Sequence, residues 1–178
     1  MTIENTFIDN LFIIDYGTFK DKRGEFVKTI NSESFNKFGL EYKFEESFFS
    51  VSSKNVVRGM HFQIPPDDHS KLVYCVKGKI IDVVLDIRKD SKTFGKYLTL
   101  ELCDEKRQGL YIGKGLAHGF LSLTDDSIVE YHTTTPYSAV NEAGIKFDSF
   151  GYGWNVDSPI VSDRDLNFQT FEDFHSPF

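Results

Sequence analysis

Between residues 71 and 133 apolar side chains come in short runs, and in several of these they alternate with polar ones. In 79–87, Ile81, Val83, Leu85 and Ile87 fall on one side of an extended chain. Asp82, Val84 and Asp86 fall on the other, because successive strand residues point to opposite faces. Segments 71–76, 96–102, 109–112, 117–123 and 127–133, rich in Val, Ile, Leu, Tyr and Phe, are predicted strands on the same grounds. Lys77-Gly78, Ser91 to Gly95, Gly113 to Gly115 and Thr124 to Asp126 supply the turns between them. Many short strands at this spacing predict an all-β sandwich or barrel.

Outside that region the period changes. Residues 31–39 predict a short helix: Asn31 or Ser32 can cap it, Glu33 suits its positive end and Gly39 can stop it. The stretch 162–178 is polar and aromatic, and reads as a tail with a helical turn near 168–174. No repeat, low-complexity tract or Gly/Ser linker interrupts the chain, so a single domain over 1–178 is expected.

Composition narrows the classes. Eighteen Phe and eight Tyr are enough to line a cavity as well as fill a core. A net charge of −7 with no basic run argues against a nucleic-acid surface, while a few Arg can still create a local anion site. Cys75 and Cys103 lie in strand-like apolar runs and read as buried free thiols, which suits a reducing cytoplasm. The first residues show no signal-peptide pattern, and no apolar run approaches the ~20 residues of a membrane span, so no membrane association is expected.

The candidate chemistry centres on five His, at 61, 69, 118, 132 and 175. Metal-binding barrels use a His-x-His pair, but the second residue after His61 is Gln63, and the two Cys lack zinc spacing, so no metal is expected. His61 stands in Val57-Arg58-Gly59-Met60-His61-Phe62-Gln63, with Lys71 ten residues on. A base, a cation and an anion binder suit chemistry on a phosphorylated carbonyl compound. Taken singly, each has a plainer reading: a structural His, a surface ion pair for Arg58, a solvated strand end for Lys71. Tyr131 and His132 are adjacent on one strand, so only one can face an interior. Asp21-Lys22-Arg23-Gly24 reads as a turn, and Asp163-Arg164-Asp165 as a cap or solvated loop.

In combination these segments resemble the dTDP-4-dehydrorhamnose 3,5-epimerase family. The resemblance runs from about Asp21 to Asp165 and is carried by Arg58-Gly59-Met60-His61-Phe62-Gln63, Pro65-Pro66, Lys71-Leu72-Val73 and Asp82-Val83-Val84-Leu85-Asp86-Ile87-Arg88. Ser91-Lys92-Thr93-Phe94-Gly95, Gly115-Leu116-Ala117-His118-Gly119-Phe120 and Tyr131-His132-Thr133-Thr134 follow in the same order. It implies a cupin-like double-stranded β-helix, a jelly-roll barrel with a few short helices, usually a homodimer with exchanged strands. It implies an epimerase acting at C3, C5 or both of a nucleotide-linked 4-keto sugar, without metal or cofactor, in bacterial capsule, lipopolysaccharide or related glycan biosynthesis. By the matched positions His61 would be the base, Tyr131 the acid on the opposite sugar face, and Asp165 the partner that orients His61. Lys71 would face the C4 oxygen, with His118 and Asp82 supporting the pocket. Arg23 and Arg58 would hold the diphosphate region and Tyr137 would flank the ligand.

The chain also departs from the family pattern. Its usual Gln-x-Asn pair and following His-Ser are replaced in Glu46-Ser47-Phe48-Phe49-Ser50, the Gln before the lysine is His69, Tyr74 stands where Arg is frequent, and the paired Tyr-Tyr is Pro136-Tyr137. With Gln63, the positions Glu46 and His69 are expected to shape the substrate pocket. Their drift points toward the branch that acts on GDP-linked 4-keto heptoses. A C3-only epimerase, a 3,4-ketoisomerase and a non-catalytic sugar-binding cupin are the rivals. Retention of base, acid and lysine favours the epimerase.

Overall fold

The computed structural model describes residues 1–178. In chain order its first elements are β1 (Thr2–Asn5), β2 (Leu11–Asp15), β3 (Phe19–Asp21), β4 (Gly24–Phe26), α1 (Ser32–Lys37), β5 (Glu46–Ser52) and β6 (Val57–Gln63). β7 (Lys71–Lys77), β8 (Lys79–Asp86), β9 (Tyr97–Cys103), β10 (Gln108–Ile112), β11 (Leu116–Ser122), β12 (Ser127–Thr133), β13 (Glu142–Gly144) and α2 (Asp163–Leu166) follow. Two antiparallel sheets result, ordered β1-β2-β10-β7-β12-β5 and β13-β6-β11-β8-β9, while β3 and β4 form a separate hairpin. This is an all-β architecture of the cupin-like, jelly-roll kind.

The sheets pack face to face because their inward residues are apolar. Ile80, Val84, Leu102 and Phe120 from one meet Val73, Leu110, Ile112 and Val129 from the other. The outer faces are covered too. Val83, Leu85 and Ile87 pack under Ile145, Phe147, Phe150 and Trp154, with Phe171, Phe174 and Phe178 at the margin. Phe12, Ile14, Leu72 and Tyr111 pack under Phe35 of α1 and Leu40. Each fully buried side chain of this size contributes roughly 1.5–3 kcal/mol. Both faces of β11 are buried, which is why it carries an almost continuous apolar sequence.

The six expected strands correspond to β7 through β12 within one or two residues, and the two faces read in 79–87 are those observed. α1 lies inside 31–39, with Asn31 Oδ1 accepting from Ser34 N–H, and Gly39 follows it at φ +67°. The C-terminal stretch differs from expectation. Its helix is Asp163–Leu166, while 171–173 form only a turn, because Ser162 caps the earlier segment and accepts from Asp165 N–H. Nor is the stretch a free tail: Ile145 bridges Gln169, and the Phe178 carbonyl accepts from Lys89. Cys75 and Cys103 are buried free thiols.

Candidate active site

A cavity of about 410 Å³ has walls drawn from both sheets. From the six-stranded sheet, Glu46, Phe48 and Ser50 of β5, Lys71 of β7, and Tyr131 and Thr133 of β12 line it. On β5 and β12 these positions obey a period of two. His132 faces away from the cavity, stacked at 5.9 Å on Tyr74. The facing wall is different, because Arg58 and His61 of β6 both line the cavity although they lie three positions apart. The pairing explains it. His118 pairs with His61 and Phe120 with Arg58, so two steps along β11 match three along β6. The extra residue is a β-bulge that switches the parity of β6. Gly59 and Gly119 permit it: a Cβ on Gly59 would sit 2.5 Å from Gly119 Cα, and one on Gly119 2.7 Å from the Arg58 carbonyl.

His61 and Asp165 meet across 104 positions, Nε2 to Oδ1 at 2.9 Å. Asp165 is 2% exposed, and its Oδ2 accepts from Gly59 N–H at 3.0 Å. Burial by itself would raise this carboxyl. The His61 contact and the Gly59 and Ser162 hydrogen bonds outweigh it and bring Asp165 down to about 2, so it is a carboxylate at neutral pH. The reading of 163–165 as a cap or solvated loop fits neither way for Asp165: Ser162 is the cap, and Asp165, in the first turn of α2, is turned inward against β6.

Lys71 is buried at 7% exposure, its Nζ 3.4 Å from the His61 carbonyl. The plain reading of a solvated strand end does not hold for it. Burial lowers its pKa to about 8, against the pull of the Asp82 and Glu142 carboxylates. His118 Nε2 lies 2.8 Å from Asp82 Oδ2, both buried, and Asp82 Oδ1 has no hydrogen-bond partner. Burial lowers the His118 pKa, with Asp82 opposing. Tyr131 comes from the opposite sheet. Burial raises its pKa, partly offset by the Ser50 hydroxyl and the Arg58 guanidinium. Phe48 stacks on its ring at 4.8 Å and 13°.

Arg58 makes no surface ion pair: its guanidinium donates to Ser52 Oγ and the Val51 carbonyl. Gln63 lines the cavity, but its amide is spent on scaffolding, donating to the Asp67 carbonyl at 2.8 Å and accepting from Ser138 N–H at 2.6 Å. His69 is bonded to Gln63 and Thr135, and burial first, then Lys71 and Lys114, lowers its pKa to about 3. Tyr137 at the mouth donates its hydroxyl to Glu142 at 2.7 Å and its backbone N–H to Glu46 at 2.6 Å. Arg23 is the exception among the expected residues. It lies on the β3–β4 turn, exposed and paired with Asp21, and does not line this chain's cavity, because that hairpin joins neither sheet. Among the lining residues to which the sequence assigned no role are Phe48, Glu142 and Arg164. Arg164 Nη1 donates to Glu142 at 2.7 Å. Among His, Cys, Asp and Glu, no group of three or more converges in a way that could hold a metal ion.

Comparison with known proteins adds a second line. The family model for dTDP-4-dehydrorhamnose 3,5-epimerase matches residues 5–173. The dTDP-4-dehydrorhamnose 3,5-epimerase of Shigella flexneri is 39% identical over 176 residues, 97% of each chain. The solved enzyme of that name from Elizabethkingia anophelis superposes with a TM-score of 0.91 at 34% identity, covering 97% of each chain. The dTDP-6-deoxy-D-glucose-3,5-epimerase of Legionella pneumophila, solved with dTDP-4-keto-L-rhamnose, superposes at 0.92 with 30% identity, covering 98% of this chain and 94% of that one.

Proposed function

The chain belongs to the dTDP-4-dehydrorhamnose 3,5-epimerase family, isomerases of nucleotide sugars, and from that premise we propose that it inverts C3 and C5 of a dTDP-linked 4-keto-6-deoxyhexose. The observation that carries the reading is the placement of His61 and Tyr131 on opposite walls of one cavity, with Lys71 on β7, the strand beside the one that bears Tyr131. Inversion needs a base on one face of the sugar and a proton source on the other, and two sheets facing each other provide that.

A proton next to a ketone can be removed because the charge it leaves spreads onto the carbonyl oxygen. His61 takes the proton, and Asp165 fixes its tautomer and stabilises the imidazolium. Lys71 donates to the developing C4 oxyanion, a contact commonly worth ~3–4 kcal/mol. Tyr131, whose raised pKa keeps it protonated, returns a proton from the other side. The same base serves C3 and C5 in turn.

Arg58 and Tyr137 hold the diphosphate and flank the nucleotide. Arg23 acts from a partner subunit, in a homodimer that exchanges strands: its hairpin exposes Phe19 at 71% and Phe26 at 60%. The names of the relatives support a dTDP-linked sugar. The changes at Glu46, Phe48 and His69 keep GDP-linked 4-keto heptoses as the rival substrate. Incubation with each in deuterated water decides: solvent deuterium should enter at C3 and C5 of the dTDP substrate. His61→Ala should abolish exchange with the fold intact, and Tyr131→Phe should slow inversion more than exchange. Absence of wash-in from any dTDP- or GDP-linked 4-keto sugar would remove the epimerase reading.

A further inference from the structure

His61 Nε2 has two neighbours, and they ask for opposite things. Asp165 Oδ1, at 2.9 Å, accepts a hydrogen bond and so favours a proton on Nε2. That leaves Nδ1 bare, as a base requires. Arg164 Nη2, at 3.1 Å, can only donate. It is compatible with a bare Nε2 and a proton on Nδ1, where His61 cannot accept one from the sugar.

Arg164 has the freedom to leave. Its side chain is half exposed at the cavity edge, and its other contacts are Glu142 at 2.7 Å, Asp165 at 3.2 Å and the Phe168 ring at 5.8 Å. The remaining charged or titratable groups around His61 belong to strands. Lys71 sits on β7, His118 on β11, Asp82 on β8, Tyr131 on β12, Glu142 on β13 and Arg58 on β6 itself. Lys71, His118, Asp82 and Tyr131 are all buried. Of the two groups against Nε2, both on α2, Asp165 is buried and Arg164 is half exposed. A diphosphate is a better partner for a guanidinium than a neutral ring nitrogen, since it offers bidentate charged contacts.

We propose that Arg164 is a positioning residue that holds His61 in the tautomer unable to act as base while the site is empty, and that the substrate's diphosphate draws it away and leaves Asp165 in control of Nε2. The proposal rests on the epimerase reading for the identity of the substrate, and on the structure alone for the competition at Nε2. It makes readiness of the base depend on arrival of the nucleotide end of the ligand.

The test is the nitrogen-15 spectrum of the His61 ring in the full chain at pH 8, free and saturated with dTDP. The wild-type ring should carry its proton on Nδ1 when free and on Nε2 with dTDP bound. Arg164→Met should show the Nε2 proton without dTDP. Arg164→Lys, which keeps a donor at this place, should return the proton of the free ring to Nδ1. A wild-type ring that carries the Nε2 proton in both states, with dTDP binding seen at other residues, overturns the gate. So does a free Arg164→Met ring that still carries its proton on Nδ1. The ring spectrum needs no turnover, so the gate can fail while deuterium wash-in succeeds, and the reverse.

Discussion

At the scale of the residue, Lys71 makes the sharpest claim. Its ammonium is useful to an enolate only while charged, and burial has brought its pKa to about 8. Exchange should therefore fall as pH rises through about 8, and Lys71→Met should lose both this limb and roughly 10²–10³ of the rate. A limb that survives in Lys71→Met would assign it elsewhere. Unfolding would not mimic this loss. The folded pKa lies below the unfolded value of ~10.4, so between the two the unfolded chain holds more protons and this group makes stability rise with pH. Circular-dichroism melts at pH 7.5 and 9.5 separate the effects. Asp165 works at the other end: its folded pKa is depressed, so the stability it contributes is present above the unfolded value and lost as pH falls toward about 2.

At the scale of the element, β6 is the strand on which the site depends. Gly59 has φ +130°, and an added Cβ would meet Gly119 Cα at 2.5 Å and the His118 carbonyl at 2.9 Å. Gly59→Ala should cost about 2 kcal/mol or more in urea unfolding, from strain and backbone overlap together. Gly153→Ala, where nothing lies within 4 Å and φ is ordinary, should be close to neutral. Equal costs at the two positions would contradict the bulge account. The bulge also explains what the sequence hid. Regular alternation made β8 legible down to which side chains share a face. In β6 the alternation is broken at the point that matters, so Arg58 and His61 would be assigned to opposite faces by counting. Asp163-Arg164-Asp165 was opaque for another reason. Three charged residues look solvated until a strand 106 positions away supplies Gly59 N–H to one of them. Asp165 was reached only through family resemblance, and Arg164 was not reached at all.

At the scale of the whole molecule, Arg23 is the residue that a single chain leaves unexplained. If its hairpin serves a partner's cavity, two inactive variants should repair each other. Mixing equal amounts of Arg23→Ala and His61→Ala with subunit exchange should restore about a quarter of wild-type exchange, because half the dimers are mixed and each holds one complete site. No recovery in a demonstrated mixed dimer would confine the site to one chain. The separation of His61 from Asp165 has a consequence of another kind, one of time. At ~5–20 residues per second of synthesis, the imidazole is made roughly 5–20 s before the carboxylate that orients it. A chain interrupted between Glu142 and Arg164 would carry the strands that wall the cavity and an idle histidine. A reactive keto sugar would then be turned over only by chains that have been read through residue 165.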